Sequence, residues 1–251
     1  RVYDGEIFKL EEHTSRFFYS ANRMGFQIPY SEKEINLASK KIVSAQNVEN
    51  GYVRPVAWRG SEMMAISAQQ TKIHVAIATW EWGSYFDPKL KTTGIKLNIS
   101  KWKRPAPDTI PWDTKASGLY MICTLSKHEA EREGYTDSLM LDHEGNIAEA
   151  TGANIFFKDK NGEIHTPIPD SFLDGITRRT VIGIAKSKNI KVHERKISPT
   201  ELPNFVGCFL TGTAAEVTPV SCIAENQFKV CDTIIDLNES YQALVRKKKA
   251  A

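Results

Sequence analysis

Lys115, in "WDTKASGLY" (112–120), stands among small and apolar neighbours where a helix is predicted to begin. The positive end of a helix dipole disfavours a charged ammonium, and partial burial acts the same way. A neutral amine is the form that makes a Schiff base. An exposed first-turn lysine accounts for the same stretch without chemistry. Glu149 ends one apolar run in "IAEATGANIFF" (147–157), and small residues from Ala150 to Ala153 follow it. It is either turn chemistry in water or an acid aimed at a ligand. "FLDGITRRT" (172–180) runs from a turn into a helix, where the first-turn amides of Ile176 and Thr177 are a ready anion site. Asp174 as a helix cap is the plainer reading. In "TGTAAEVTP" (211–219) small residues and hydroxyls end an apolar strand and let backbone N–H groups come close to a ligand. A tight strand exit needs no ligand. Arg54 in "YVRPVAW" and Arg16 in "HTSRFFYSA" are an odd strand charge and a helical charge with aromatic neighbours. Solvation is the default for both.

Together these supply a lysine for an aldehyde, amides, hydroxyls and an arginine for a phosphate, and a carboxylate for a ring nitrogen. That set matches the needs of pyridoxal phosphate.

The elements that must position them follow from periodicity and turn residues. "DG" at 4–5 marks a hairpin. Residues 11–24 predict a helix with Phe17, Phe18, Ala21 and Met24 on one face, ended by Gly25. Ser31 and Glu34 form a capping box for a second helix. Strands follow at 52–58 and 72–80, and Gly, Pro and mixed charges over 83–94 suggest a linker. Beyond a strand near 95–99 and a Pro-rich loop, residues 116–133 predict a helix stopped by Gly134, with Leu119, Ile122, Cys123 and Ala130 on one side. "SLMLD", "NIAEA", "NIFFK" and "EIHTP" make a meander. A helix near 175–188, strands at 190–196 and 206–212, and a final helix near 233–248 bearing Ile234, Leu237, Tyr241 and Leu244 complete the chain. Helices mixed with antiparallel meanders point to the α+β class rather than a doubly wound sheet.

The chain has 251 residues, 41% hydrophobic and 25% charged, which is ordinary for a globular protein of one large or two modest domains. A net charge of +3 does not call for nucleic acid or membrane. The "RKKK" at 246–249 reads as a solvated tail. Four cysteines without a C-x-x-C pair suit a reducing, cytoplasmic compartment. The histidines show no metal-ligand spacing, so no metal is expected. The chain starts at Arg1 inside a strand-like run, and an upstream segment is expected.

"EEHTSRFFYSANRMG", "NGYVRP", "WGSYFDP", "KRPAPDTIPWDTKASGLY", "IAEATGANIFF", "LDGITRR" and "TGTAAEVTPV" occur in an order that resembles the branched-chain amino acid aminotransferases, pyridoxal phosphate enzymes of fold type IV. The resemblance covers essentially the whole chain. It implies a small α/β domain over 1–86, lacking its first strand, a linker over 87–94, and a larger β-barrel-like cofactor domain over 95–251. It implies that Lys115 forms the Schiff base and shuttles the proton, and that Glu149 bonds the pyridine nitrogen. Arg16, the amides of Ile176 and Thr177, and Thr213 would hold the phosphate. Tyr120 would reach the phenolic oxygen, and Leu173 would pack on the ring. Tyr52, Arg54, Trp82 and the backbone at Ala214 would meet the substrate. The implied reaction moves nitrogen between L-leucine, isoleucine or valine and 2-oxoglutarate in a ping-pong cycle, in a homodimer or higher oligomer. The alternatives are a D-amino acid or amine transaminase, an aminodeoxychorismate lyase on the same fold, or a non-catalytic phosphate-ligand binding remnant.

Overall fold

Asp4 and Gly5 both take positive φ, 49° and 80°, and turn β1 (Val2–Tyr3) back onto β2 (Glu6–Ile7). This is the pair of left-handed residues a tight hairpin requires. The computed structural model describes residues 1–83, 85–87 and 89–246. After the hairpin come α1 (Leu10–Arg23) and α2 (Glu32–Ala45), the second opened by the Ser31–Glu34 capping box. β3 (Gly51–Arg59) and β4 (Ile73–Glu81) then pair antiparallel from Gly51↔Glu81 to Arg59↔Ile73, giving a sheet ordered β2-β1-β3-β4. The buried side of α1 is the expected one, extended toward its N-terminus, with Phe17 and Phe18 half-buried on it and only Met24 departing. Leu10, Thr14, Ser20 and Ala21 are buried, while Met24 is exposed. Thr14 Oγ1 donates to Asn36 Oδ1 of α2 at 2.5 Å, so a polar contact, not only apolar character, chooses the inward face.

Packing divides the chain into two units. One is Arg1–Gly83 with Thr114–Ala116, and the other holds the remaining described residues. Within 87–94, read as linker, the structure places the one-turn helix α3 (Leu90–Thr93); Ser84 and Pro88 lie outside the described residues.

The second unit continues with β5 (Ile95–Ile99), α4 (Met121–Arg132), β6 (Asp137–Leu141), β7 (Ile147–Ala150), β8 (Asn154–Asp159), β9 (Ile164–Thr166), α5 (Ile176–Ser187) and β10 (Val192–Glu194). It ends with β11 (Phe205–Gly212), β12 (Glu216–Ile223), β13 (Asn226–Gln227) and α6 (Asp232–Val245). The strands run β8-β11-β12-β5-β6-β7, and β7 pairs back onto β8, so the sheet closes into a six-stranded barrel. β5 lies parallel to β12 and β6, and the meander pairs are antiparallel. This is the expected α+β barrel-containing fold. Ile95, Leu97, Leu139, Phe157 and Leu210 share one buried cluster, in which Phe157 stacks on Phe205 at 4.9 Å. Phe156, one residue away and so on the other face of the pleat, stacks on Phe209 at 4.9 Å. Val245, rather than Leu244, completes the buried side of α6. Of the basic run, 247–249 lie outside the described residues. No helix among the described residues is long and apolar enough to cross a membrane.

Candidate active site

β7 is four residues long and wholly buried, and Glu149 on it faces Asn154 across the β7–β8 corner. Asn154 Nδ2 donates to Glu149 Oε2 at 3.2 Å and to the Leu173 carbonyl at 2.9 Å. Its Oδ1 accepts from the Gly175 amide at 3.2 Å. The other carboxylate oxygen of Glu149 lies 3.5 Å from Nε of Arg104, a residue only 4% exposed. A buried carboxylate needs an opposite charge, and the guanidinium supplies it. Arg104 Nη1 also meets the Leu119 carbonyl at 3.4 Å and Cys123 Sγ at 3.2 Å. Burial pushes the Cys123 thiol up to about 11, so it stays a neutral contact.

Gly175 caps α5 in extended conformation and offers no side-chain cap. Asp174, the cap expected on the plainer reading, instead turns its carboxylate to Arg178 at 3.0 Å and Arg179 at 3.3 Å. Arg178 is 1% exposed and also reaches the Pro167 carbonyl at 3.0 Å and Glu194 Oε2 at 2.8 Å, which bolts the helix start in place. Among the described residues no side chain caps the start of α5, which leaves the amides of Ile176 and Thr177 to open it as an anion site requires. Leu173 is half-buried beside them.

Thr213 and Ala214 lie in the three-residue connection 213–215 of a β11–β12 hairpin rather than at a simple strand exit. Glu216 closes that turn at φ +55° and pairs with Lys91 at 3.4 Å. Ala153 lies against Gly212, 3.5 Å from where a Cβ would stand. The small residues after Glu149 thus let the 212–216 turn come close. The buried hydroxyl of Thr211 has no hydrogen-bond partner among the described residues.

In the first unit, His13, Arg16 and Ser20 share one face of α1, at a spacing of one and two turns. The backbone N–H of Lys115 donates to Ser20 Oγ at 3.1 Å, and Arg16 donates to His13 Nδ1 at 3.3 Å. Burial first, then the charges of Arg16, Lys115 and Lys9 among others, hold His13 down at about 2, so it is a neutral acceptor among cations. Lys115 and Arg16 are brought together in this cationic cluster. Lys115 itself is exposed, and the four-residue 3-10 turn Ser117–Tyr120 separates it from α4. That refines the expected helix start at 116: the first turn after the lysine is 3-10, and it runs directly into α4. Tyr120 closes that turn in the second unit, half-buried.

Tyr52 meets Trp80 at 5.3 Å and Trp82 at 4.8 Å between ring centres. Arg54 is exposed, two residues along β3 from Tyr52 on the same side of the pleat. The β3–β4 face therefore offers an aromatic wall with one guanidinium.

A grouping the histidine spacing did not reveal is Glu163, His165 and His193, whose ligand atoms all lie within 4.8 Å of one another. Parallel pairing of β9 and β10 sets the two rings in register, stacked at 4.7 Å. Its atoms are engaged with one another and with Arg195, which donates to His165 Nδ1, and Lys191, which bonds Glu163. Two cations at the rim disfavour a third.

Arg104, Asn154 and His13 are the residues that sequence reasoning left out. Arg104 had a signal, an arginine inside a Pro-rich loop. Asn154 had one as well, a carboxamide at the head of an apolar strand, where β propensity is low.

Residues 1–223 match the family model described as amino-transferase class IV. A probable branched-chain-amino-acid aminotransferase of Rickettsia conorii is 40% identical over 252 residues, covering 98% of this chain and 85% of that protein. The solved structure of a branched-chain amino acid aminotransferase (T.th.) with pyridoxamine 5'-phosphate is similar with TM-score 0.94 and 34% identity, over 98% of this chain and 84% of that one. The same enzyme complexed with N-(5'-phosphopyridoxyl)-L-glutamate gives 0.90 and 33%, over 95% and 79%.

Proposed function

Because the chain belongs to the class IV amino-transferase family, we propose that it is a branched-chain amino acid aminotransferase working with pyridoxal 5'-phosphate. It exchanges nitrogen between L-leucine, isoleucine or valine and 2-oxoglutarate, in a ping-pong cycle. The glutamate adduct in the second of those solved structures supports glutamate as the second amino acid. The observation that carries the reading is a buried carboxylate tied through one side chain to an uncapped helix start. A basic ring nitrogen and a phosphate are the two groups that such a pair can take. The donor set fits the cofactor on those grounds.

When bound, the cofactor supplies an aldehyde for a Schiff base and a ring that withdraws electrons from the substrate Cα. Lys115 would hold the aldehyde, and as a free neutral amine its Nζ would take and return the proton at the substrate Cα. Glu149 accepts a charge-assisted hydrogen bond from the ring nitrogen. Arg16, the Ile176 and Thr177 amides, and Thr213 hold the phosphate. Tyr120 meets the phenolic oxygen and Leu173 the ring face. Arg54 takes the side-chain carboxylate of glutamate, while Tyr52 and Trp82 take branched aliphatic chains, and the backbone at Ala214 meets the substrate. Four free cysteines support a reducing, cytoplasmic setting. A homodimer or higher oligomer is part of the same reading, on resemblance.

Borohydride reduction with added cofactor, followed by peptide mapping, tests it: the expected result is cofactor mass on the Lys115 peptide, and its absence ends the enzyme reading. A panel of L- and D-amino donors with 2-oxoglutarate tests the substrate, and faster turnover of D-alanine than of L-leucine would reject the branched-chain assignment.

A further inference from the structure

We propose that Asn154 is a positioning residue that sets the separation between the Glu149 carboxylate and the anion-binding start of α5, so that both meet one rigid ligand. The inference rests on the pyridoxal phosphate reading above. The Asn154 side chain belongs to a residue 5% exposed, and its carboxamide makes three hydrogen bonds, one to β7 and two to the turn that opens α5. Its donors reach Glu149 Oε2 on β7 and the Leu173 carbonyl in the loop before α5. Its acceptor takes the N–H of Gly175, the residue that caps α5. A planar amide has its donor and acceptor directions fixed. Moving either the carboxylate or the helix start breaks a bond inside the protein, where an unmade bond costs most.

Gly175 strengthens the argument from the other side. A Cβ there would run into Asn154 Oδ1, closer than any real contact. A side chain at 175 would therefore have to displace the Asn154 carboxamide. A ring nitrogen and a phosphate joined by one short arm demand such a fixed separation, whereas inorganic phosphate alone demands only the helix start.

The test compares two probes on Asn154→Ala and Gly175→Ala. Pyridoxal 5'-phosphate affinity, read by fluorescence, is expected to fall tenfold or more in both variants, with a shift in the pH midpoint of the bound cofactor's visible absorption. Inorganic phosphate affinity, read by phosphorus NMR, is expected to stay within threefold. Equal losses for both probes would overturn the proposal, because they would mean a damaged helix start rather than a lost coupling. Unchanged pyridoxal phosphate affinity and pH midpoint would overturn it as well. If Asn154→Ala does not fold in a urea titration, Gly175→Ala, which removes no polar group, decides alone. Wild-type protein that takes up no cofactor at Lys115 sinks the functional reading and this inference with it; normal uptake with unaffected variants sinks only the inference.

Discussion

The β7–β8 corner and the α1 face hold their charged groups in opposite ways. At the corner Glu149 is buried, opposed by Arg104 and tied by Asn154 to the turn that opens α5. On the α1 side, Lys115 is exposed and the hydrogen bond that places it comes from its backbone, to Ser20 Oγ. One region buries its charged side chain in the interior; the other sets its lysine at the surface, with a backbone hydrogen bond to the neighbouring helix. The difference suits the proposed roles. A carboxylate that only stabilises charge works best preorganised, with nothing to rearrange during reaction. A lysine that holds an aldehyde and then carries a proton needs reach, and its four-carbon stem supplies it.

Four substitutions sharpen or break that contrast. Lys115→Ala should lower transamination at least about 10³-fold while leaving the urea midpoint nearly unchanged, since an exposed side chain is lost. A large loss of stability would show that the lysine is structural after all. Glu149→Gln should lower turnover about 10²-fold, more than it lowers cofactor retention, because the phosphate anchors lie elsewhere. It should also cost about 3 kcal/mol in a urea titration by leaving Arg104 buried without its counter-charge. Equal loss of bound cofactor would mean that Glu149 mainly holds the ligand. Arg54→Ala should raise KM for glutamate about tenfold and change KM for leucine less than about threefold, since only glutamate brings a second carboxylate. Equal effects on both would remove Arg54 from the specificity argument.

The fourth substitution acts on stability alone, at His13. The unfolded chain takes up a proton below about 6.5 that the folded chain refuses down to about 2, so wild-type stability should fall as pH drops below that value. His13→Gln removes this titration. Relative to the variant, the wild type should lose about 2 kcal/mol between neutral pH and pH 5, at about 1.4 kcal/mol per pH unit. Parallel stability curves would show that the cationic cluster on α1 does not act on His13.

The meander and the terminal helix were legible because their signals are local. Short, mostly apolar runs over β6, β7 and β8 and the turns between them state the strands and their order. Barrel closure through β7 and β8 was not legible in those signals, since it depends on how far the sheet coils. The inward face of α1 was legible from its apolar residues, but the burial of Thr14 and Ser20 beside them was not, because it rests on polar contacts. The 3-10 form of the turn before α4 was not legible because helical periodicity does not distinguish a 3-10 turn from a first α turn.

For the candidate site, residue types and motif order pointed to Lys115, Glu149, Arg16 and the α5 amides without any structure. Short-range physics covers caps, turns and periodicity, and the motifs sit on elements that such rules delimit. What only tertiary structure decided is which polar groups are buried and what satisfies them. Lys115 and Ser20 bond across 95 positions, and Asn154 spans 21 to reach Gly175. Burial turns an arginine in a Pro-rich loop into the counter-charge of Glu149, and a strand-heading asparagine into the tie between a carboxylate and a helix start. No local pattern encodes such pairs, because the cost of burying a charge or an amide is set by the neighbours that the whole fold brings to it.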